Sequence, residues 1–133
     1  MVKLTDAEKA EMCSELAGHL SKLRKLLNLT QENLSNISGI SRVTISQIES
    51  GKVKMTWLHL NAILCISCAN IRTKEYLIAN NLLGPRYMQY IQCKNENEYP
   101  ELNVAADINK IQLSKILSLE ELEAAKEEKH PVI

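Results

Sequence analysis

Between Gln31 and Ser50 two short runs of apolar residues at helical spacing flank Ser38-Gly39-Ile40, and that pattern calls for two short helices meeting at a sharp bend. Leu34, Ile40, Ile45 and Ile48 are the positions through which two helices crossing at a steep angle can share one small core. Gly39 falls where the chain must turn, and a residue without Cβ adopts positive φ there at little cost. Thr30 and Ser41 stand just ahead of the two runs, where a hydroxyl oxygen can accept from the backbone N–H groups that open a helix. Ser50-Gly51 closes the second run.

The flanking sequence is also helical in pattern. Thr5-Asp-Ala-Glu8 has capping-box spacing and opens a run with Met12, Leu16, Leu20, Leu23 and Leu27 on one face, predicting a long helix that ends near Asn28. Thr56 is placed to cap a helix through Cys68 whose Trp57, Leu60, Ile63 and Leu64 leave it apolar nearly all round, as in a buried element. Leu77, Ile78 and Leu82 predict a helix over Thr73 to Leu83, stopped by Gly84-Pro85. Tyr87 to Cys93 fits a short helix or an alternating strand, and Lys94 to Asn103 reads as a polar loop. Val104 to Leu117 is amphipathic, and Ser118-Leu-Glu-Glu121 repeats the capping box ahead of an acidic last helix that frays before Pro131. The expected class is all-α.

At 133 residues and 45% hydrophobic content the chain can bury a core without disulfides or metals. Its formal net charge is zero, so only the distribution of charge is informative. From Leu20 to Trp57 six basic residues stand against two acidic ones, whereas from Arg86 onward six stand against nine. A basic front half suits a polyanionic partner and an acidic back half a solvated or partner-binding part. The opening MVKLTDAEK lacks the apolar core of a secretory signal, and no stretch approaches the roughly 20 apolar residues that span a bilayer. The expectation is a cytoplasmic protein with no membrane partner, in which Cys13, Cys65, Cys68 and Cys93 stay reduced.

If Ile45 and Ile48 face inward, Arg42, Val43, Ser46 and Gln47 share the outer face of the second short helix. A helix of that length fits the DNA major groove, and its N-terminal side chains reach base edges first. The residues Leu23-Arg-Lys-Leu-Leu-Asn-Leu-Thr-Gln31, Leu34, Gly39-Ile-Ser41, Thr44-Ile-Ser-Gln-Ile-Glu49 and Gly51-Lys52 together resemble the lambda-repressor-like (Cro-type, XRE) helix-turn-helix family, over about Leu16 to Ile66. Ser35 departs from the family pattern, which usually has Ala at that helix contact.

The resemblance implies a five-helix DNA-binding domain over 1–69, followed by a helical region over 70–133 for dimerisation or for a protein or small-ligand partner. It implies that Arg42, Val43, Ser46 and Gln47 contact bases, and that Gln31, Ser41, Thr44, Lys52 and Lys54 contact phosphates. Arg24 and Glu49 match the positions of an ion pair that ties the first helix to the end of the recognition helix. The implied function is sequence-specific transcriptional regulation, with repression by a homodimer on a palindromic site of double-stranded DNA as the leading form. No catalytic residue, cofactor or metal is expected, and no enzymatic activity.

Two other functions fit the same sequence. One is an antitoxin-like protein-interaction module on this fold, acting through its C-terminal half. The other is a thiol-based metal or redox sensor built on Cys65-Ile-Ser-Cys68, although no second close Cys or His pair accompanies it, and buried structural thiols are the plainer expectation. His19 and His59 are isolated and read as surface or packing residues.

Overall fold

Thr5 starts the first helix with a full capping box: its hydroxyl accepts from the Glu8 N–H at 3.1 Å, and the Glu8 carboxylate accepts from the Thr5 N–H at 3.2 Å. In the computed structural model, which describes residues 1–101, this helix is α1 (Asp6–Leu26). It is followed by α2 (Gln31–Ser38), α3 (Arg42–Glu49), α4 (Trp57–Cys68), α5 (Ile71–Ala79) and α6 (Pro85–Ile91). No strand occurs among the described residues, so the fold is all-α. The helices expected over Val104 to Leu117 and from Ser118 lie outside the described residues.

The hydroxyls of Thr30, Ser41 and Thr56 accept from Asn33, Thr44 and His59 N–H groups at 3.0, 3.1 and 3.2 Å. Each satisfies a donor that the helix itself leaves unpaired, an arrangement that stabilises by about 1 kcal/mol. Helix ends are as regular as the starts. Asn28, Gly39, Gly51, Asn81 and Cys93 all take left-handed φ values between 54° and 79°, which turns the chain out of the helix.

The core is built on one face of α1. Leu16, Leu20 and Leu23 are almost fully buried and pack with Leu34 of α2, Ile45 and Ile48 of α3, and Leu60, Ile63 and Leu64 of α4. Helix α1 touches α3, α4 and α5, while α2 bridges α3 and α4. Burying each such side chain is worth about 1.5 to 3 kcal/mol against leaving it in water. Leu77, Tyr87 and Met88 join this cluster, so the packed core continues past residue 69 into α5 and α6. Met1–Pro100 forms one compact unit.

Two sequence expectations need correction here. Helix α5 ends at Ala79, because Asn81 turns left-handed and the Leu82 N–H closes back on the Leu77 carbonyl at 2.9 Å. Gly84-Pro85 therefore starts α6, with Pro at the first helical position, where its missing N–H costs nothing. Helix α4 is less enclosed than its composition suggests, since Leu58 is 78% exposed and Cys65 is also exposed.

The N-terminal residues are pinned to α6 and the turn after it. The Val2 N–H donates to the Lys94 carbonyl at 2.8 Å. Arg86 donates to Glu8 at 2.8 Å and to the Lys3 carbonyl at 3.1 Å, and it pairs with Glu96 at 3.2 Å. The Tyr87 hydroxyl donates to Asn61 at 2.8 Å; burial, with the Cys68 and Cys65 thiols nearby, pushes its pKa up to about 12.

Candidate nucleic-acid interface

Two short helices and the bend between them form this surface. Gly39 sits at φ 77° after α2 and donates its N–H to the Ser35 carbonyl at 2.9 Å, which reverses the chain within one residue. Ile40 then drops into the core and Ser41 caps α3. Burial of Ile45 and Ile48 fixes the rotation of α3 about its axis. As a result Arg42, Val43 and Ser46 are exposed and Gln47 is half-buried on the opposite face.

The N-terminal end of α3 is open. Val43 is 62% exposed there, so its methyl groups are open to contact. Ser41 Oγ accepts from the Thr44 N–H and donates to Thr44 Oγ1 at 2.7 Å, so both hydroxyls are set at the first turn of the helix. Arg42 Nε lies 3.8 Å from Glu32 Oε2 on α2, and both side chains are about two-thirds exposed. At the other end Gly51, at φ 79°, lets the Lys52 N–H bond the Gln47 carbonyl at 2.9 Å. Lys52 and Lys54 then stand exposed in the loop that leads to α4.

The C-terminal end of α3 is tied down. Arg24 Nη2 donates to Glu49 Oε1 at 2.8 Å, Nε donates to both carboxylate oxygens at 3.2 Å, and Nη1 donates to the Leu29 carbonyl at 2.9 Å. The Arg24 and Glu49 side chains are only 15% and 8% exposed. Burial works to raise the Glu49 pKa, but hydrogen bonds from Arg24 and Gln31, the Arg24 charge and a bond from Ser21 outweigh it and hold the carboxyl below its usual value. Gln31 is half-buried, with its carboxamide nitrogen donating to Glu49 Oε2 at 3.2 Å. Its side chain is thus turned toward the α1–α3 junction, a placement that no spacing rule indicates.

The structure brings Ser41, Arg42, Val43 and Thr44 together at the start of α3, with Ser46 and Gln47 further along it and Lys52 and Lys54 in the loop beyond its other end. Glu32 was not among the expected site residues. No local periodicity links it to Arg42; the two meet only because α2 and α3 cross at the bend. Elsewhere His19 Nδ1 lies 2.6 Å from the Tyr76 hydroxyl, and His59 completes the Thr56 capping box, so both act in packing and capping. The expectation of two buried thiols at Cys65 and Cys68 is corrected, since only Cys68 is partly covered; burial, partly offset by Lys74, raises its pKa. Among the described residues no group of three or more His, Cys, Asp or Glu side chains comes together as a metal site would require.

Two short capped helices about a left-handed glycine, the second showing a polar face, define a helix-turn-helix within an all-helical domain. A helix-turn-helix family model matches residues 20–56. That segment is a helix-turn-helix of the lambda-repressor-like, XRE type, which supports DNA binding in transcription regulation. No curated protein and no solved structure matches the chain. No helix among the described residues is long and apolar enough to cross a membrane.

Proposed function

We propose that the protein is a cytoplasmic transcriptional repressor that binds a near-palindromic operator as a homodimer, with α3 in the major groove of each half-site. The observation that carries this reading is the outward set Arg42, Val43, Ser46 and Gln47 on a helix whose opposite face is locked into the core by Ile45 and Ile48. Arg42 is suited to guanine, Gln47 to adenine and Val43 to a thymine methyl, while Ser46 can bond either donors or acceptors on base edges. Ser41, Thr44, Lys52 and Lys54 are assigned to phosphates, and Gln31 to a phosphate at the start of α2 through the carboxamide N–H that its bond to Glu49 does not use. Arg24 and Glu49 are assigned to holding α3 in place.

The region from 70 to 133 is assigned to dimerisation or to a protein or small-ligand partner. On α5, Ile71 and Ile78 are 73% and 56% exposed and lie two turns apart on one face, which supports an apolar contact there. Selection from a pool of randomised duplex DNA, at fixed salt, tests the proposal as a whole. Enrichment of two inverted half-sites about one helical turn apart is expected. A single half-site would overturn the dimer, and no enrichment would overturn sequence-specific binding.

A further inference from the structure

Of the two acidic residues between Leu20 and Trp57, Glu49 is spent inward on Arg24, whereas Glu32 stands 67% exposed on the surface that carries Arg42. A carboxylate facing a polyanion weakens binding to any sequence. Arg42 is similarly misplaced for folding: it occupies the first position of α3, where the helix dipole disfavours a cation, and no acidic residue of its own first turn offsets it. The two are 3.8 Å apart and well solvated, so their pairing adds little to stability.

We infer that Glu32 is a positioning residue: its carboxylate aims the Arg42 guanidinium, setting the fork for bidentate contact with a guanine and trading general DNA affinity for base discrimination. This deepens the DNA-reading assignment of α3 and rests on it. The physical basis is that an arginine side chain alone samples many rotamers. A partner on the neighbouring helix restricts that freedom before the base arrives, so less is lost on contact. Glu32 also sits in the first turn of α2, where an acid is favoured by the dipole, so the brace is compatible with the helix that holds it.

The test compares wild type, Glu32→Gln, Arg42→Ala and the double variant, all full length. Probes are a duplex selected from the random pool by the wild type, the same duplex with the Arg42-dependent base pair exchanged, and a scrambled duplex. Glu32→Gln is expected to bind the scrambled duplex more tightly and to lose about two- to fivefold in discrimination at the base pair that Arg42→Ala identifies, the range of an exposed ion pair. Its melting temperature should fall only slightly, through the small dipole stabilisation lost at the start of α2. In the Arg42→Ala background the same change should still tighten general binding but leave discrimination untouched. Unchanged discrimination in Glu32→Gln, while Arg42→Ala loses it, would overturn the positioning role and leave the DNA reading standing. Equal loss in both backgrounds would also overturn it, because Glu32 would then act independently of Arg42. Equal binding of all three duplexes by the wild type would defeat the DNA-reading assignment itself.

Discussion

The two ends of α3 are built to opposite rules. At the C-terminal end Glu49 accepts from Arg24 and Gln31 in a setting almost closed to water. At the N-terminal end Arg42 and Glu32 pair loosely across the α2–α3 bend in full view of solvent. Both contain an arginine and a glutamate, but desolvation separates their effects. A buried pair is costly to break because the survivor is stranded without water, whereas an exposed pair leaves both partners hydrated. One end is therefore invested in the fold, and the other is available to a ligand.

The largest expected effect comes from breaking the buried end. Arg24→Ala should leave the largely covered Glu49 carboxylate with only its hydrogen bonds from Gln31 and Ser21, lowering unfolding free energy by about 2 to 3 kcal/mol in urea titrations. A loss below about 1 kcal/mol would place this pair in the same class as the exposed one. Acid should find the same end. Because the folded-state pKa of Glu49 lies below its usual 4.5, its contribution is fully present above that value and lost as pH falls through the depressed one. Stability measured from neutral pH down to about pH 3 should thus fall less steeply in Glu49→Gln than in the wild type.

A smaller effect is expected where the open end meets the fold. Ser41→Ala removes the α3 cap and one partner of Thr44, and should cost about 1 kcal/mol, or roughly 4 to 8 °C in melting temperature for a domain of this size. If the melting temperature does not move, the first turn of α3 is held by something other than its cap.

How far these features could be read from sequence follows the same division between local and tertiary causes. Helices α1 to α4 each begin at a Ser or Thr whose hydroxyl caps them, so residue type and apolar spacing were enough to place them. Helices α5 and α6 follow Asn70 and Gly84 with no side-chain cap, and the chain turns left-handed at Asn81 and Cys93, two residues past their ends. Cys93 has no special preference for that conformation, and a Gly-Pro pair serves the start of a helix as readily as its end. Spacing along the sequence therefore fixes neither their boundaries nor, for Tyr87 to Cys93, the choice of helix over strand. The outward set on α3 was legible because Ile45 and Ile48 fix its rotation. The inward turn of Gln31 and the meeting of Glu32 with Arg42 were not, since each depends on contacts between helices that no spacing along one chain encodes.

The central claim is that the open end of α3 reads bases while its buried end only supports the fold. Measuring Arg42→Ala by calorimetric melting together with fluorescence anisotropy on selected and scrambled duplexes, at several salt concentrations, tests it most directly. The melting temperature should stay within about 2 °C of wild type, as for an exposed surface change, while affinity for the selected duplex falls by about 1 to 3 kcal/mol and that for the scrambled one much less. An equal fall on both duplexes, or a large drop in melting temperature with no loss of discrimination, would contradict the account.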